Sequence, residues 1–245
     1  MAVHFDPVNA CNLRCKMCYF TDKDYVKKLK GIFPKDDLKN FGKSILSRAL
    51  KLQIGCGTEP TLYKHLKEVI EIGKSYNVPF ISITTNANTI ELNQLKEWCE
   101  AGLNEITVSL HGVTKKSYEY FMGKGNFQRF LQSLNYINIV KQEFPSLKLR
   151  INYTFNEDNF EELNNFWEIF KDFNIDTLQI RPIKKMGETE YSNFSLKKII
   201  PNYEKIHQKL IDECKKRNTS FLAPKLHQIQ ERTSISSIIQ NFTYC

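Results

Sequence analysis

Three cysteines near the start of the chain have a spacing that can hold metal. Cys11, Cys15 and Cys18 form a C-x3-C-x2-C pattern. Thiolates at this density can ligate three irons of a cubane iron–sulfur cluster. Because the same run contains no fourth cysteine, one iron would keep an open coordination position, and open positions on metals are where substrates bind. The pattern therefore indicates an iron–sulfur site with a reactive iron.

Other uses of these cysteines fit less well. A structural zinc site requires four ligands, and the nearby candidates His4, Cys56 and His65 are irregularly spaced. Bacterial ferredoxins use the order C-x2-C-x2-C-x3-C, which differs from this one. Zinc binding and buried, inert thiols remain the alternatives at this point.

Polar or glycine-containing segments follow several apolar runs further along the chain. Residues 55–60 (GCGTEP) contain glycines, which allow close approach of backbone to a ligand, and a carboxylate that can bind an ammonium group. Residues 84–86 (TTN) and 109–111 (SLH) place hydroxyl, amide and imidazole groups after other apolar runs. Each segment also has a structural alternative, namely a helix start, a capping turn and a surface histidine.

Short apolar or β-branched runs bounded by Gly, Pro, Asn or Asp predict six strands. They are Ala2–Asp6, Ala49–Gly55, Phe80–Thr85, Glu105–Leu110, Lys148–Phe155 and Thr177–Pro182. Helical spacing fills the intervals, with helix starts predicted at Pro34, Pro60-Thr61, Thr89 and Asn159. This alternation predicts an α/β fold with a parallel sheet, whose active site lies at the carboxyl ends of the strands. The pattern does not separate an open barrel from a flat doubly wound sheet.

The segment CNLRCKMCY, residues 11–19, resembles the signature of the radical S-adenosylmethionine (radical SAM) enzymes. Further segments match in order over about residues 2–185. The resemblance implies a partial (βα)6 TIM-like barrel, a [4Fe-4S] cluster held by Cys11, Cys15 and Cys18, and SAM chelated to the open iron. Residues 122–128 resemble the SPASM branch in particular, whose members modify peptides and proteins and carry a cysteine-rich C-terminal extension.

The resemblance also assigns cofactor contacts along the chain. These residues are Tyr19, Gly57, Thr58, Glu59, Thr85, Asn86, Ser109, Gln128 and Asn152. Glu59 and the backbone of Gly57–Thr58 would hold the amino group of the methionine moiety. His111 and Arg181 are candidates for contact with the substrate or with SAM. Alternation sends Arg150, Asn152 and Thr154 to one face of their strand, either the barrel interior or the helix layer.

Three positions depart from the family pattern. Thr58 stands where the second glycine of G-G-E-P is usual, and Ala87 stands where the T-N-G turn has its glycine. His111 replaces the aspartate of S-x-D-G. A neutral imidazole can donate to a ribose hydroxyl but brings no negative charge, and it can also transfer protons to or from a substrate.

The pattern changes in the last quarter of the chain. We expect a radical SAM core domain over residues 1–185 and a helical extension over residues 186–245. Within the extension, Leu196–Arg217 predicts one or two helices that are interrupted at Pro201.

A SPASM extension would need several more cysteines after the barrel. Only Cys214 and Cys245 follow it. The extension is therefore expected to be either the truncated start of a SPASM-type region or a region of another kind.

Composition restricts the partners and the compartment. No apolar run approaches the ~20 residues that span a bilayer, and the first residues are too polar for a signal peptide. Seven cysteines, odd in number and partly clustered, fit a reducing compartment. We therefore expect a cytoplasmic protein with no membrane partner. The net charge of +8 is spread among acidic residues without a dense basic block, which disfavours nucleic acid as the partner.

These observations predict a radical SAM enzyme. As the family implies, reductive cleavage of SAM would give a 5'-deoxyadenosyl radical that abstracts hydrogen from a substrate, here a peptide or protein side chain. The electron would come from an external reductant of the flavodoxin or ferredoxin type. A sugar, another small metabolite or RNA is the alternative substrate. A non-catalytic iron–sulfur electron carrier is the alternative from another class, and it would not need Glu59, Thr85 or Ser109.

Overall fold

The computed structural model describes residues 1–184, 189, 191 and 193–229. Seven strands form one parallel sheet, and two very short strands form a separate antiparallel pair. In chain order the strands are β1 Ala2–Phe5, β2 Arg14–Cys15, β3 Lys51–Ile54, β4 Phe80–Thr85, β5 Glu105–Leu110, β6 Met122–Gly123, β7 Lys148–Phe155, β8 Thr177–Pro182 and β9 Ser220–Leu222. The six predicted strands are confirmed. Strand β9 was not predicted because three residues carry no periodic pattern.

The order of strands in the large sheet follows the order of the chain: β1-β3-β4-β5-β7-β8-β9. Every parallel connection therefore steps in the same direction, as in a βα barrel, whereas a doubly wound sheet reverses direction after its first strand. Within the described residues, β1 and β9 are unpaired edges and the barrel stays open. The predicted α/β partial barrel is confirmed, and a doubly wound sheet is excluded.

Helices follow most strands of the large sheet. They are α1 Lys23–Lys28, α2 Leu38–Ile45, α3 Leu66–Ser75, α4 Leu92–Glu100, α5 Lys115–Phe121, α6 Phe127–Glu143, α7 Phe166–Phe170 and α8 Ile200–Lys216. Pro34 and Pro60 open 3-10 turns ahead of α2 and α3, and Asn159 caps a 3-10 turn ahead of α7. Helix α4 begins at Leu92 and not at Thr89.

Pro201 marks the start of α8 and not a break within it, and a 3-10 helix over Leu196–Ile199 precedes α8. Pro201 lies in the first turn of α8, and the helix continues to Lys216. A proline is tolerated there because the first backbone N–H groups of a helix have no helical acceptor.

The two faces of the sheet differ in chemistry. Leu52 and Ile81 face α3, since a Cβ on Gly73 would lie 3.0 Å and 2.9 Å from their side chains. Their register partners continue this apolar row across the sheet. The opposite, concave face carries polar side chains, which are His4, Gln53, Ser82, Thr84, Glu105, Thr107, Ser109, Arg150, Asn152, Thr154, Thr177, Gln179 and Arg181. Arg150, Asn152 and Thr154 therefore belong to the barrel interior.

Part of the predicted C-terminal extension completes the sheet. Strand β9 pairs in parallel with β8, and Tyr203 of α8 stacks on Phe160 with ring centroids 5.5 Å apart. Cys214 is buried in the same layer. Cys245 lies outside the described residues. Among the helices that the structure describes, none is long and apolar enough to span a lipid bilayer.

Candidate active site

The cysteine loop follows β1 at the carboxyl end of the sheet. Its apolar residues Leu13 and Met17 are buried and anchor the loop in the core. The cysteines on either side of them are half-buried and none of the three is in a disulfide. Buried anchors between the cysteines hold the loop in the core, and Cys11 and Cys18 lie close enough to Cys15 to interact with it electrostatically.

A separate pair of short antiparallel strands joins this loop to the segment before α6. Strand β2 pairs with β6, so that Cys15 lies opposite Met122. A Cβ on Gly123 would lie only 2.5 Å from the carbonyl oxygen of Arg14. Glycine is thus required at position 123, because the backbone of this segment lies directly against the cysteine loop. The sequence alone does not predict this contact.

The three thiols lie within electrostatic reach of one another. Burial raises the pKa of Cys11 to about 11, and the charge of Cys18 contributes to that rise. Burial, followed by the charges of Cys18 and Cys11, raises the pKa of Cys15. Burial also raises the pKa of Cys18. Metals bind thiolates, so a bound metal would replace these protons.

The donor set fits an iron–sulfur cluster better than a single ion. Among the described residues, no three His, Cys, Asp or Glu side chains converge tightly enough to hold one metal ion. A four-iron cluster presents separate irons to its ligands, so it requires three thiols around a shared space and not at a single point. Three free thiols on one clamped loop match this requirement.

Asp6 fixes the loop after β3, and sequence reasoning missed it. Its Oδ1 accepts hydrogen bonds from the backbone N–H of Cys56 at 2.8 Å and from the Thr58 hydroxyl at 2.7 Å. Its Oδ2 accepts from the N–H of Gly57 at 3.1 Å. The only signal in the sequence is an acidic residue at the carboxyl end of the first strand. The departure at Thr58 is explained, because the hydroxyl supplies one of these bonds.

Two glycines in the same loop are required by close contacts. Gly55 has φ +80°, and a Cβ there would lie 2.5 Å from the carbonyl oxygen of Thr84. The hydroxyl of Tyr19, next to the third cysteine, donates to the carbonyl of Gly57 at 2.5 Å, and a Cβ on Gly57 would lie 2.9 Å from that hydroxyl. The loop after β3 therefore lies directly against the cysteine loop.

Glu59 is the centre of a buried hydrogen-bond network. Its Oε1 accepts from the N–H and hydroxyl of Thr61, at 3.2 and 2.6 Å, and from the hydroxyl of Thr85 at 2.7 Å. Its Oε2 accepts from the N–H of Asn86 at 2.8 Å. Burial raises the pKa of Glu59, and these hydrogen bonds oppose that rise. A carboxylate has about four acceptor sites, so Oε2 retains one for a further donor.

Asn86 connects this network to the cysteine loop. Its side-chain amide donates to Asn12 Oδ1 at 2.7 Å and approaches the sulfur of Cys11 at 3.9 Å. The next residue, Ala87, is fully buried with φ +58°, in the left-handed region that favours glycine. Ala87 therefore has the left-handed backbone conformation that glycine would adopt more easily, and its backbone is strained.

The strand ends on the other side of the barrel carry the remaining predicted residues. Asn152 is buried, and its Oδ1 has no hydrogen-bond partner in the part of the chain that the structure describes. The same is true of His111 Nδ1. Burial, and to a smaller extent the charge of Arg181, lowers the pKa of His111 to about 3. Ser109 is half-buried on the same face.

Gln128 is the predicted site residue that the structure does not bring to the others. It is exposed in the first turn of α6, and its side chain makes no hydrogen bond to a described residue. Its neighbour Asn126 does reach the site, because its backbone N–H donates to Asn88 at 2.7 Å. A cofactor contact by Gln128 stays a prediction.

Comparison with protein families gives one match. Residues 6–166 fit the model described as the Radical SAM superfamily. This range includes the cysteine loop, Glu59, Asn86, His111 and Asn152, and it ends before Arg181.

Curated relatives share about a quarter of their residues with this chain. "Probable GTP 3',8-cyclase" of Metallosphaera sedula is 25% identical over 213 residues, which cover 87% of this chain and 65% of the relative. GTP 3',8-cyclase of Aquifex aeolicus is 25% identical over 223 residues, 88% of this chain and 64% of the relative. The chain thus spans less than two thirds of the length of these relatives.

Solved structures show the same fold. Streptococcus suis SuiB aligns with a TM-score of 0.73 at 18% identity, over 96% of this chain and 53% of SuiB. SuiB bound to the precursor peptide SuiA gives 0.69 at 18% identity, over 94% and 51%. Native anSMEcpe with bound AdoMet gives 0.67 at 20% identity, over 91% and 63%.

Proposed function

The chain belongs to the radical SAM superfamily, since the family model covers residues 6–166, and from this premise we propose that it is an enzyme that cleaves SAM reductively. In this superfamily the bound [4Fe-4S] cluster and SAM together supply a 5'-deoxyadenosyl radical, which takes hydrogen from a substrate. We assign Cys11, Cys15 and Cys18 as the cluster ligands. The observation that carries the proposal is the chain of hydrogen bonds from Asn12 through Asn86 to Glu59.

The residues of this chain hold and orient the cofactors. Asn86 keeps the loops after β1 and β4 together, and Asp6 holds the loop after β3 against them. The remaining acceptor site on Glu59 suits the ammonium group of SAM, whose approach the backbone of Gly57 permits. The buried wall behind these loops excludes water, which a reactive radical requires.

The test is anaerobic reconstitution with iron and sulfide, reduction, addition of SAM and detection of 5'-deoxyadenosine by mass spectrometry. We expect product and about four irons per chain from the wild type. Cys15→Ala should lose both. Cys99→Ala is the matched control, because Cys99 is a buried thiol on α4, and it should retain both.

The outcomes separate the two classes of protein. Four irons without SAM cleavage in the wild type would favour the non-catalytic electron carrier. Equal iron content in Cys15→Ala and Cys99→Ala would contradict the assignment of the ligands.

For the substrate we propose a peptide or protein side chain. The fold likeness to SuiB, including its complex with a precursor peptide, supports this class.

Residues 1–185 would be the radical SAM core and residues 186–245 an extension that contributes to substrate binding.

The curated relatives favour a second candidate, a small nucleotide substrate, because they are named GTP 3',8-cyclases. In single-turnover assays, more 5'-deoxyadenosine with GTP than without it would favour the nucleotide. No stimulation by GTP would favour the peptide class. In either case we propose a cytoplasmic protein and an external one-electron reductant of the flavodoxin or ferredoxin type.

A further inference from the structure

Two arginines lie on the concave face of the sheet, and they differ in their partners. Arg150 donates to Glu105 at 3.1 Å and to Gln179 at 3.4 Å. Glu105 is buried and forms an ion pair with this guanidinium. The positive charge of Arg150 is neutralised within the fold.

Arg181 lies nearer the carboxyl end of the same face and has no such neutralisation. Its Nε donates to the hydroxyl of Thr154 at 3.3 Å. No acidic side chain among the described residues pairs with its guanidinium, and the side chain is exposed at the mouth of the barrel. The surrounding barrel wall partly desolvates it and lowers the pKa of Arg181, but an arginine starts so high that it stays charged. Within the part of the chain that the structure describes, neither terminal nitrogen of Arg181 has a hydrogen-bond partner.

The surroundings of Arg181 add donors but no negative charge. His111 interacts with it electrostatically and is held neutral, since burial lowers the pKa of His111 to about 3. The Nδ1 of His111 is buried without a partner among the described residues. The backbone at His111 is fixed, because Asn159 Nδ2 donates to its carbonyl at 2.9 Å. A buried, uncharged imidazole near a guanidinium that has no acidic partner among the described residues is a suitable site for an anion.

We propose that Arg181 binds an anionic group of the substrate, a carboxylate or a phosphate, with His111 as a neighbouring polar contact. A planar guanidinium with two free nitrogens binds both groups in a bidentate manner. The inference deepens the proposed function and rests on it, because it concerns the substrate of the same site.

The position of Arg181 separates it from the loops assigned to the SAM amino group. The loops assigned to the SAM amino group follow β3 and β4, whereas Arg181 is on β8. Strands β5 and β7 lie between them in the sheet. The anion at Arg181 is therefore expected to bind at the carboxyl end of β8, beside β7.

The experiment measures labelling of arginines by phenylglyoxal in the anaerobic, cluster-loaded protein saturated with SAM. Mass spectrometry of peptides follows Arg181, with the exposed Arg48 as internal reference. GTP tests the phosphate source and malonate tests the carboxylate source. We expect at least one of them to slow labelling of Arg181 by about fivefold or more without slowing that of Arg48.

A binding titration with Arg181→Gln gives the second measurement. The protecting anion should bind about tenfold more weakly than to the wild type, the typical effect of one charge-assisted pair. Arg181→Lys should lose less, and Arg129→Gln, which removes an exposed arginine paired with Glu91, should lose nothing.

Two results would overturn the proposal. The first is full protection of Arg181 by SAM alone, measured against a matched sample without SAM, which would assign Arg181 to the cofactor carboxylate. The second is labelling that neither GTP nor malonate slows. SAM cleavage is measured separately in the same samples, so its absence in the wild type would count against the proposed function and not against the anion site.

Discussion

The two halves of the barrel mouth differ in how completely their polar groups are bonded. At the ends of β1, β3 and β4, Asp6 and Glu59 each accept hydrogen bonds from three residues of the neighbouring loops. At the ends of β5, β7 and β8, Asn152, His111 and Arg181 keep atoms without partners among the described residues. We call these the bonded half and the open half.

The difference indicates what kind of ligand each half of the barrel mouth is suited to bind. A buried polar atom without a partner costs about 1–3 kcal/mol, so several of them together indicate a place that a ligand or ordered water completes. The hydrogen bonds of the bonded half hold its loops in place before any ligand arrives, which suits a cofactor that binds in one position. The open half suits a substrate that brings its own polar groups.

The largest expected effect in the bonded half comes from Glu59→Ala. It would leave the donors of Thr61, Thr85 and Asn86 without an acceptor, and we expect a loss of about 3 kcal/mol in the free energy of unfolding. Chemical denaturation measures it. Glu97→Ala is the control, since Glu97 is exposed in a pair with Lys67 at 3.8 Å, and it should change stability by less than about 0.5 kcal/mol.

Glu59→Gln sharpens this prediction. The amide keeps the shape but places an N–H group opposite one of the donors, so stability and SAM affinity should fall together. Weaker SAM binding at unchanged stability would instead make Glu59 a direct ligand with no positioning role.

Asp6→Ala tests the other centre of the bonded half. It removes the acceptor for Cys56, Gly57 and Thr58, and because Asp6 is only half-buried we expect a smaller loss of about 2 kcal/mol. SAM affinity should drop with it, as measured by equilibrium binding to the cluster-loaded protein. Asp24→Ala on the exposed α1 should leave both unchanged. Unaltered SAM binding in Asp6→Ala would show that the loop holds its shape without this carboxylate.

Sequence reasoning reached the bonded half through local signals. Apolar runs followed by Asn or Gly predicted the ends of β4 and β5. The motif residue Asn86 directly follows β4, and Glu59 lies in the loop after β3. Asp6 was missed because its partners lie about 50 residues away and no local pattern marks them. Pro201 was misinterpreted because a proline that starts a helix and one that breaks it look alike in a short window.

The open half was harder to predict for a different reason. Arg150 and Arg181 both appeared as cations within apolar strands, and alternation alone did not say which face was the interior. Their difference depends on Glu105, which lies on another strand. Strand pairing therefore decides which of the two arginines has an acidic partner among the described residues.

The ionisation of His111 tests whether the open half is shielded from water. With its pKa lowered to about 3, His111 stays neutral in the folded protein while the unfolded chain takes up a proton near pH 6.5. Stability should therefore fall as the pH drops below about 6.5, by up to roughly 1.4 kcal/mol per pH unit. His111→Gln should remove this part of the slope. A His111 NMR resonance that titrates near pH 6.5 in the folded protein would show a hydrated ring.

The smallest expected effect concerns strain within the bonded half. Ala87 has φ +58°, which costs a non-glycine residue about 1–2 kcal/mol, whereas glycine costs the folded state roughly 0.5–1 kcal/mol in chain entropy. Ala87→Gly should thus stabilise the protein by about 0.5 kcal/mol and raise Tm by about 1–2 °C, measured by thermal unfolding. Ala101→Gly is the control at the right-handed C-cap of α4, and it should lower Tm. A fall in Tm for Ala87→Gly would mean that packing of the buried methyl group outweighs the backbone strain.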